Sequence, residues 1–115
     1  MFEFQNLIVY KKAKQFHQDS KRIIEESKSN KNVRDQLDRA SFSIVLNIAE
    51  GSGRFSKPDR RNFFVISRSS VFECVAVSDV LKDEKKITEK EFLQYCEKAD
   101  ELSRILYSMI KNLSK

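Results

Sequence analysis

Glycine and proline occur only three times in 115 residues, and all three, Gly51, Gly53 and Pro58, fall in one short stretch. A chain with so little turn-forming material must run in few, long elements. Hydrophobic spacing says which kind. Val9, Ala13, Phe16, Ser20 and Ile23 recur at three- and four-residue intervals, which predicts a first helix over about 7–27 with Asn6 as its cap. Lys11, Lys14, Gln18 and Arg22 form the solvated back of that helix. The polar run Ser27–Asn32 reads as a loop.

A second helix is expected over about 33–51, capped by Asn32 or Asn30, with Val33, Leu37, Ala40, Ile44 and Ile48 inward. Phe42, Val45, Leu46 and Ala49 give it a second apolar stripe. A glycine just past its end is placed to take the left-handed conformation that closes a helix. Ser56-Lys57-Pro58-Asp59 then supplies a cap, a proline in the first turn and an acid at the third position, the strongest local signal in the chain. The third helix is expected over 57–83, with Phe63, Ile66, Ser70, Cys74, Val77 and Leu81 inward. A second apolar set follows in Phe64, Val71, Phe72 and Val75. Thr88-Glu89-Lys90-Glu91 is a capping box opening a fourth helix over 89–113 through Phe92, Tyr95, Ala99, Leu102, Leu106, Met109 and Leu113. No strand, repeat or low-complexity segment interrupts the pattern. The expected fold is all-α: one domain over 1–115, an antiparallel up-down-up-down four-helix bundle.

No apolar run approaches the length of a membrane span, and Lys11, Lys12 and Lys14 break up the start of the chain, so the expectation is a soluble, cytoplasmic protein. The two cysteines, Cys74 and Cys96, sit inside helical patterns and read as buried thiols rather than as a disulfide framework. One histidine, His17, and two such cysteines make no zinc site. The helical serines lack a nucleophile elbow, and Gly51-Ser52-Gly53-Arg54 matches neither a phosphate loop nor a dinucleotide fingerprint. The expectation is therefore a protein without catalytic residues, metal or cofactor.

The double stripes on the second and third helices exceed what an isolated bundle buries, and point to self-association through those helices, with a ring as one form and a monomer with a thicker core as the alternative. Two polar residues fall at inward positions, Asn47 and Glu73. With Arg39 and Arg68 near in register, and Glu50 beside the glycines, Asn47, Glu50, Glu73 and Arg39 are expected to form a structural polar network. Net charge is +5, spread over both halves without a basic tail. The densest basic stretch, Arg54 to Arg61, lies at the start of the third helix, where free N–H groups and the helix dipole favour anions. Arg54, Lys57, Arg60 and Arg61 are the expected contacts to RNA or DNA, repeated in every subunit of an oligomer. The competing expectation is a protein-interaction scaffold whose charge serves solubility.

Three stretches carry a family resemblance: Leu7–Ala13, Gln36–Ser41 and Ser43–Arg54, the last containing Asn47-Ile48-Ala49-Glu50-Gly51-Ser52-Gly53-Arg54. Phe63–Ile66, Ser70 and Glu73 extend it. The chain resembles the four-helix-bundle proteins related to the 23S rRNA-intervening-sequence protein. That resemblance implies a bacterial bundle assembling as a ring, typically a pentamer. Some relatives are encoded inside insertions in 23S rRNA genes, and distant relatives bind nucleic acid and a reverse transcriptase; no catalytic residue is implied. Asp38 stands where a basic residue is usual, Val45 where proline is common and Ser69 where glycine is usual.

Overall fold

The computed structural model describes residues 1–115. A short 3-10 turn, Glu3–Asn6, leads into α1 (Ile8–Ser27), α2 (Lys31–Ser52), α3 (Lys57–Asp83) and α4 (Glu89–Leu113). At about 1.5 Å per residue, the 27 residues of α3 span about 40 Å, close to the 44 Å length of the molecule. Neighbouring helices run antiparallel. Across α1 and α4, Lys12 meets Glu101, Asp19 meets Lys98 and Ser20 meets Tyr95, so numbers fall on one helix as they rise on the other. The same inversion relates α2 to α3 through Ser43–Ser70 and Ile44–Ser67. It relates α3 to α4 through Arg61–Ser114 and Arg68–Ser103. The expected up-down-up-down bundle is the observed one.

Local chemistry sets most helix ends. Asn30 caps α2 by accepting from the Val33 N–H at 3.0 Å, which decides between the two asparagines. Ser56 accepts from the Asp59 N–H at 3.2 Å to start α3. Thr88 and Glu91 bond each other's backbone N–H at 3.0 and 2.9 Å, completing the capping box of α4. Asn6 does not cap α1. It closes the 3-10 turn instead, and Leu7 stands at the helix start with no side-chain bond.

The glycines act differently from the expectation. Neither has a positive φ; the residues that do are Lys28, at the end of α1, and Lys85, in the α3–α4 loop. Gly51 lies inside α2, and a Cβ there would sit 2.8 Å from Phe64 Cε1 and 2.9 Å from Phe63 Cβ. It is a point of close helix approach. Gly53 ends α2 in a right-handed conformation, and a Cβ there would meet only backbone oxygens at 3.6 Å or more.

The core draws on all four helices, with Phe16, Leu37, Ile44, Ile48, Leu81, Leu102 and Leu106 among its fully buried side chains. The stripes expected for α1 and α4 are the ones that pack inward. That of α3 is shifted. Its buried line is Phe64, Ser67, Val71, Cys74, Ser78 and Leu81, while Ile66 is exposed and Val77 only half-buried. The helices meet through serine. Ser67 donates to the Ile44 carbonyl across the α2–α3 seam at 2.9 Å, and Ser78 turns its hydroxyl back to Val75 O. Ser20, Ser27, Ser41 and Ser103 are likewise buried, each with a hydrogen-bond partner. Cys74 is fully buried and its thiol is pushed up to about 12 by desolvation, whereas Cys96 is only half-buried.

Candidate nucleic-acid interface

The α2–α3 corner is built in four residues, Gly53 to Ser56. As α2 ends, the Gly53 N–H bonds Glu50 O at 3.1 Å and the Arg54 N–H bonds Gly51 O at 3.2 Å. Phe55 follows, fully exposed, and Ser56 opens α3. Arg54, Lys57, Arg60 and Arg61 are all exposed. None of the four belongs to any of the ion pairs of the protein, so their charge is not cancelled by a carboxylate.

They are not equally free. The Arg54 guanidinium lies over the Phe63 ring, 4.6 Å from its centroid. Arg60 Nε donates to Arg54 O at 2.6 Å, bracing the corner. Arg61 reaches Ser114 Oγ at 3.4 Å, a long bond at the end of α4. Lys57 has no such engagement. Arg60 therefore has a structural task as well as a charge, whereas Lys57 and Arg61 keep theirs largely for solvent or ligand.

Beside this corner, between the 3-10 turn and the end of α4, runs an open cleft of about 1160 Å³ whose lining includes Phe2, Phe4, Phe55, Phe64 and Met109. Arg54 and Arg60 line it along with Glu3, Glu50 and Asp59. The cleft thus mixes charge of both signs with aromatic surface.

The expected polar network does not form among its four residues. Asn47 is half-buried and donates to Ser43 O at 2.8 Å and Ser43 Oγ at 2.9 Å, while Ser70 donates to the same Ser43 hydroxyl at 3.0 Å. A network therefore joins α2 to α3, but through Asn47, Ser43 and Ser70. Glu50, Glu73 and Arg39 are exposed and make no ion pair. The physical reason is the one-residue offset of the α3 core line: Glu73 is turned about 100° from Cys74 and so leaves the interior. Arg68, near Glu73 in register, donates to Ser103 O at 3.1 Å and lies over Phe72 and Tyr107.

Of two polar sites between α1 and α4, only the buried Asp19 had no forewarning in the hydrophobic pattern; Ser20 and Tyr95 both lie on the inward stripes it predicts. Asp19 is buried on α1 and bonds Lys98 at 2.9 Å, with Arg22 at 3.5 Å and Gln15 at 3.3 Å. Ser20 gives its proton to Phe16 O at 2.8 Å, so the Tyr95 hydroxyl donates to Ser20 at 2.6 Å. Desolvation raises the Tyr95 phenol well above its ordinary value. Both sites tie α1 to α4. A carboxylate at i, i+3 from Arg22 was the only sequence signal of the first. No group of three or more His, Cys, Asp or Glu side chains converges to hold a metal ion, and no helix is long and apolar enough to cross a membrane.

Fold and corner together define a small four-helix-bundle protein with an unpaired cationic, aromatic-tipped end. The chain belongs to the 23S rRNA-intervening sequence protein family, whose model matches residues 5–108. A crystal structure of a protein of unknown function from the S23 ribosomal protein family, from Bacteroides thetaiotaomicron, has the same fold. It superposes with a TM-score of 0.84 at 23% identity, covering 90% of this chain and 99% of that one. No curated protein matches the chain.

Proposed function

We propose that this protein is a non-catalytic, homo-oligomeric nucleic-acid-binding protein that contacts RNA or DNA through the α2–α3 corner. The observation that carries the reading is the corner itself: four exposed cations without a carboxylate partner, around a fully exposed Phe55. Lysine and arginine supply the phosphate contacts that dominate such affinity, and an uncovered ring offers a surface on which a base stacks. The family takes its name from an intervening sequence of 23S rRNA, which accords with an RNA setting.

Assembly belongs to the same proposal. Leu46 on α2 and Ile66, Val65 and Val80 on α3 are 42–55% exposed, a concentration of apolar surface that favours packing against a second copy. A closed ring of such copies repeats the basic corner once per subunit and multiplies weak contacts. Pentameric mass is the expected outcome in light scattering, and a monomer at tens of micromolar would sink the assembly.

A gel shift with structured RNA and with DNA at increasing salt tests the binding. Affinity should fall steeply with salt and fall further in the paired charge reversal Lys57→Glu and Arg61→Glu. Salt-independent binding, or no response to the reversal, overturns the corner as the interface. Recovery of a protein partner that survives nuclease treatment, with no oligonucleotide shift, would favour the scaffold reading instead.

A further inference from the structure

The flank of α1 that borders α2 carries Tyr10, Lys14, His17 and Lys21, at three- and four-residue spacings that place them along one line of the helix, and Lys28 follows just past its end. Lys14, Lys21 and Lys28 are exposed, and none belongs to an ion pair. Lys14 Nζ stands 5.0 Å over the Tyr10 ring. Midway along the line, His17 stacks on Phe42 of α2, with ring centroids 5.4 Å apart and planes 28° from parallel. The histidine is pinned by a 2.7 Å hydrogen bond between Nδ1 and Ser41 Oγ. Phe42 remains 48% exposed. Burial, and then the nearby Lys21 ammonium, lower the pKa of His17 from its ordinary 6.5, while Asp38 pulls it the other way. The ring therefore stacks as a neutral aromatic at physiological pH. Arg34, exposed and unpaired, continues the positive flank on α2 one turn before Asp38.

We infer that this α1–α2 flank binds a single-stranded nucleic-acid segment, with a base stacked on the Phe42–His17 pair and phosphates on Lys14 and Lys21. The inference rests on the reading of the protein as a nucleic-acid binder and adds a second surface and a strand preference to it. Lys14 and Lys21 lie about 10 Å apart along the axis, at 1.5 Å per residue, and bracket the ring pair. Cations tracking a backbone beside a fixed, solvent-open aromatic are the two requirements of single-strand binding. A duplex already stacks its bases on one another and gains nothing from the rings. An acidic peptide would satisfy the lysines but leave the ring pair without a flat partner. Phe42 lies one turn from Leu46, so the flank borders the surface proposed for assembly, and the mass of the Phe42 variants separates the two roles.

Fluorescence anisotropy on the full chain tests this with labelled oligo-dT, oligo-U, a short DNA duplex and poly-glutamate. Phe42→Ala should weaken both single strands about tenfold and leave the duplex within about twofold. Phe42→Trp should restore the lost affinity. Lys14→Glu with Lys21→Glu should weaken the single strands further and reduce the salt slope by about one to two. Because Phe42 is half-exposed, circular dichroism should show each variant folded, and light scattering should show its mass unchanged. The inference is overturned if Phe42→Ala leaves single-strand affinity intact, weakens the duplex equally, or changes the oligomeric mass. It is also overturned if poly-glutamate binds through Lys14 and Lys21 as tightly as the oligonucleotides. If single-strand affinity responds only to the Lys57 and Arg61 reversal, the flank falls and the nucleic-acid reading stands. If the unmodified protein binds none of the nucleic acids, both fall.

Discussion

Two seams of the bundle are closed by opposite means. Between α2 and α3 the contacts are small: Gly51 against Phe63 and Phe64, Ser67 on the Ile44 carbonyl, and Ser43 on Ser70. Between α1 and α4 they are large and polar at once. There the Phe16 ring stacks on Tyr95 with centroids 4.5 Å apart, and a buried Asp19 is held by Lys98. The first seam is limited by space and the second by occupancy. One suffers from an added atom, the other from a missing one.

The largest effect should come from emptying the occupied seam. Phe16→Ala removes a side chain only 1% exposed and should cost about 3–5 kcal/mol, read as a shift in the urea midpoint. Next comes crowding the tight seam. Gly51→Ala should cost about 2 kcal/mol, because its new Cβ meets the rigid Phe63 Cβ, while Gly53→Ala should stay within about 0.5 kcal/mol. Equal tolerance at the two glycines would remove the steric account of α2–α3. Smaller again is Lys98→Ala, which strips the main partner from Asp19 and should cost about 1 kcal/mol. A double-mutant cycle with Asp19→Ala should show coupling; strict additivity would mean that the pair holds nothing.

The smallest effect belongs to the α1–α2 border. The folded pKa of His17 lies below 6.5, so the unfolded chain binds its proton more tightly. Stability is therefore fully present above the unfolded value and declines as pH falls from there through the folded one. His17→Gln should flatten that decline between neutral and mildly acid pH, as measured by paired urea titrations. An unchanged slope would assign the decline to other groups.

This contrast also explains what the sequence could and could not disclose. Helix ends were legible because a cap is a local event: Asn30, Ser56 and Thr88 each bond a backbone N–H three residues on. The inward faces of α1 and α4 were legible because an amphipathic stripe leaves little choice. On α3 the choice was real, since apolar residues occupy two faces and the core line runs through Ser67 and Ser78, which count as polar in any hydrophobic tally. The shift that followed carried Glu73 out of the interior and with it the expected network. Gly51 was visible as a glycine, but its reason depends on Phe63 and Phe64 arriving from another helix. At the corner, the sequence supplied the four cations. Only the fold distinguishes Arg60, bonded to Arg54 O, from an unengaged Lys57.

The serine-lined interior has a calorimetric consequence. Of 26 buried residues, seven are polar or charged, six of them serines. Exposing apolar surface raises the heat capacity on unfolding and exposing polar surface lowers it, with an ordinary domain averaging about 12–15 cal/mol/K per residue. Unfolding this bundle releases hydroxyls together with hydrocarbon, so its increment should fall below that range. The stability curve is then broad and shallow, with its warm and cold limits set far apart.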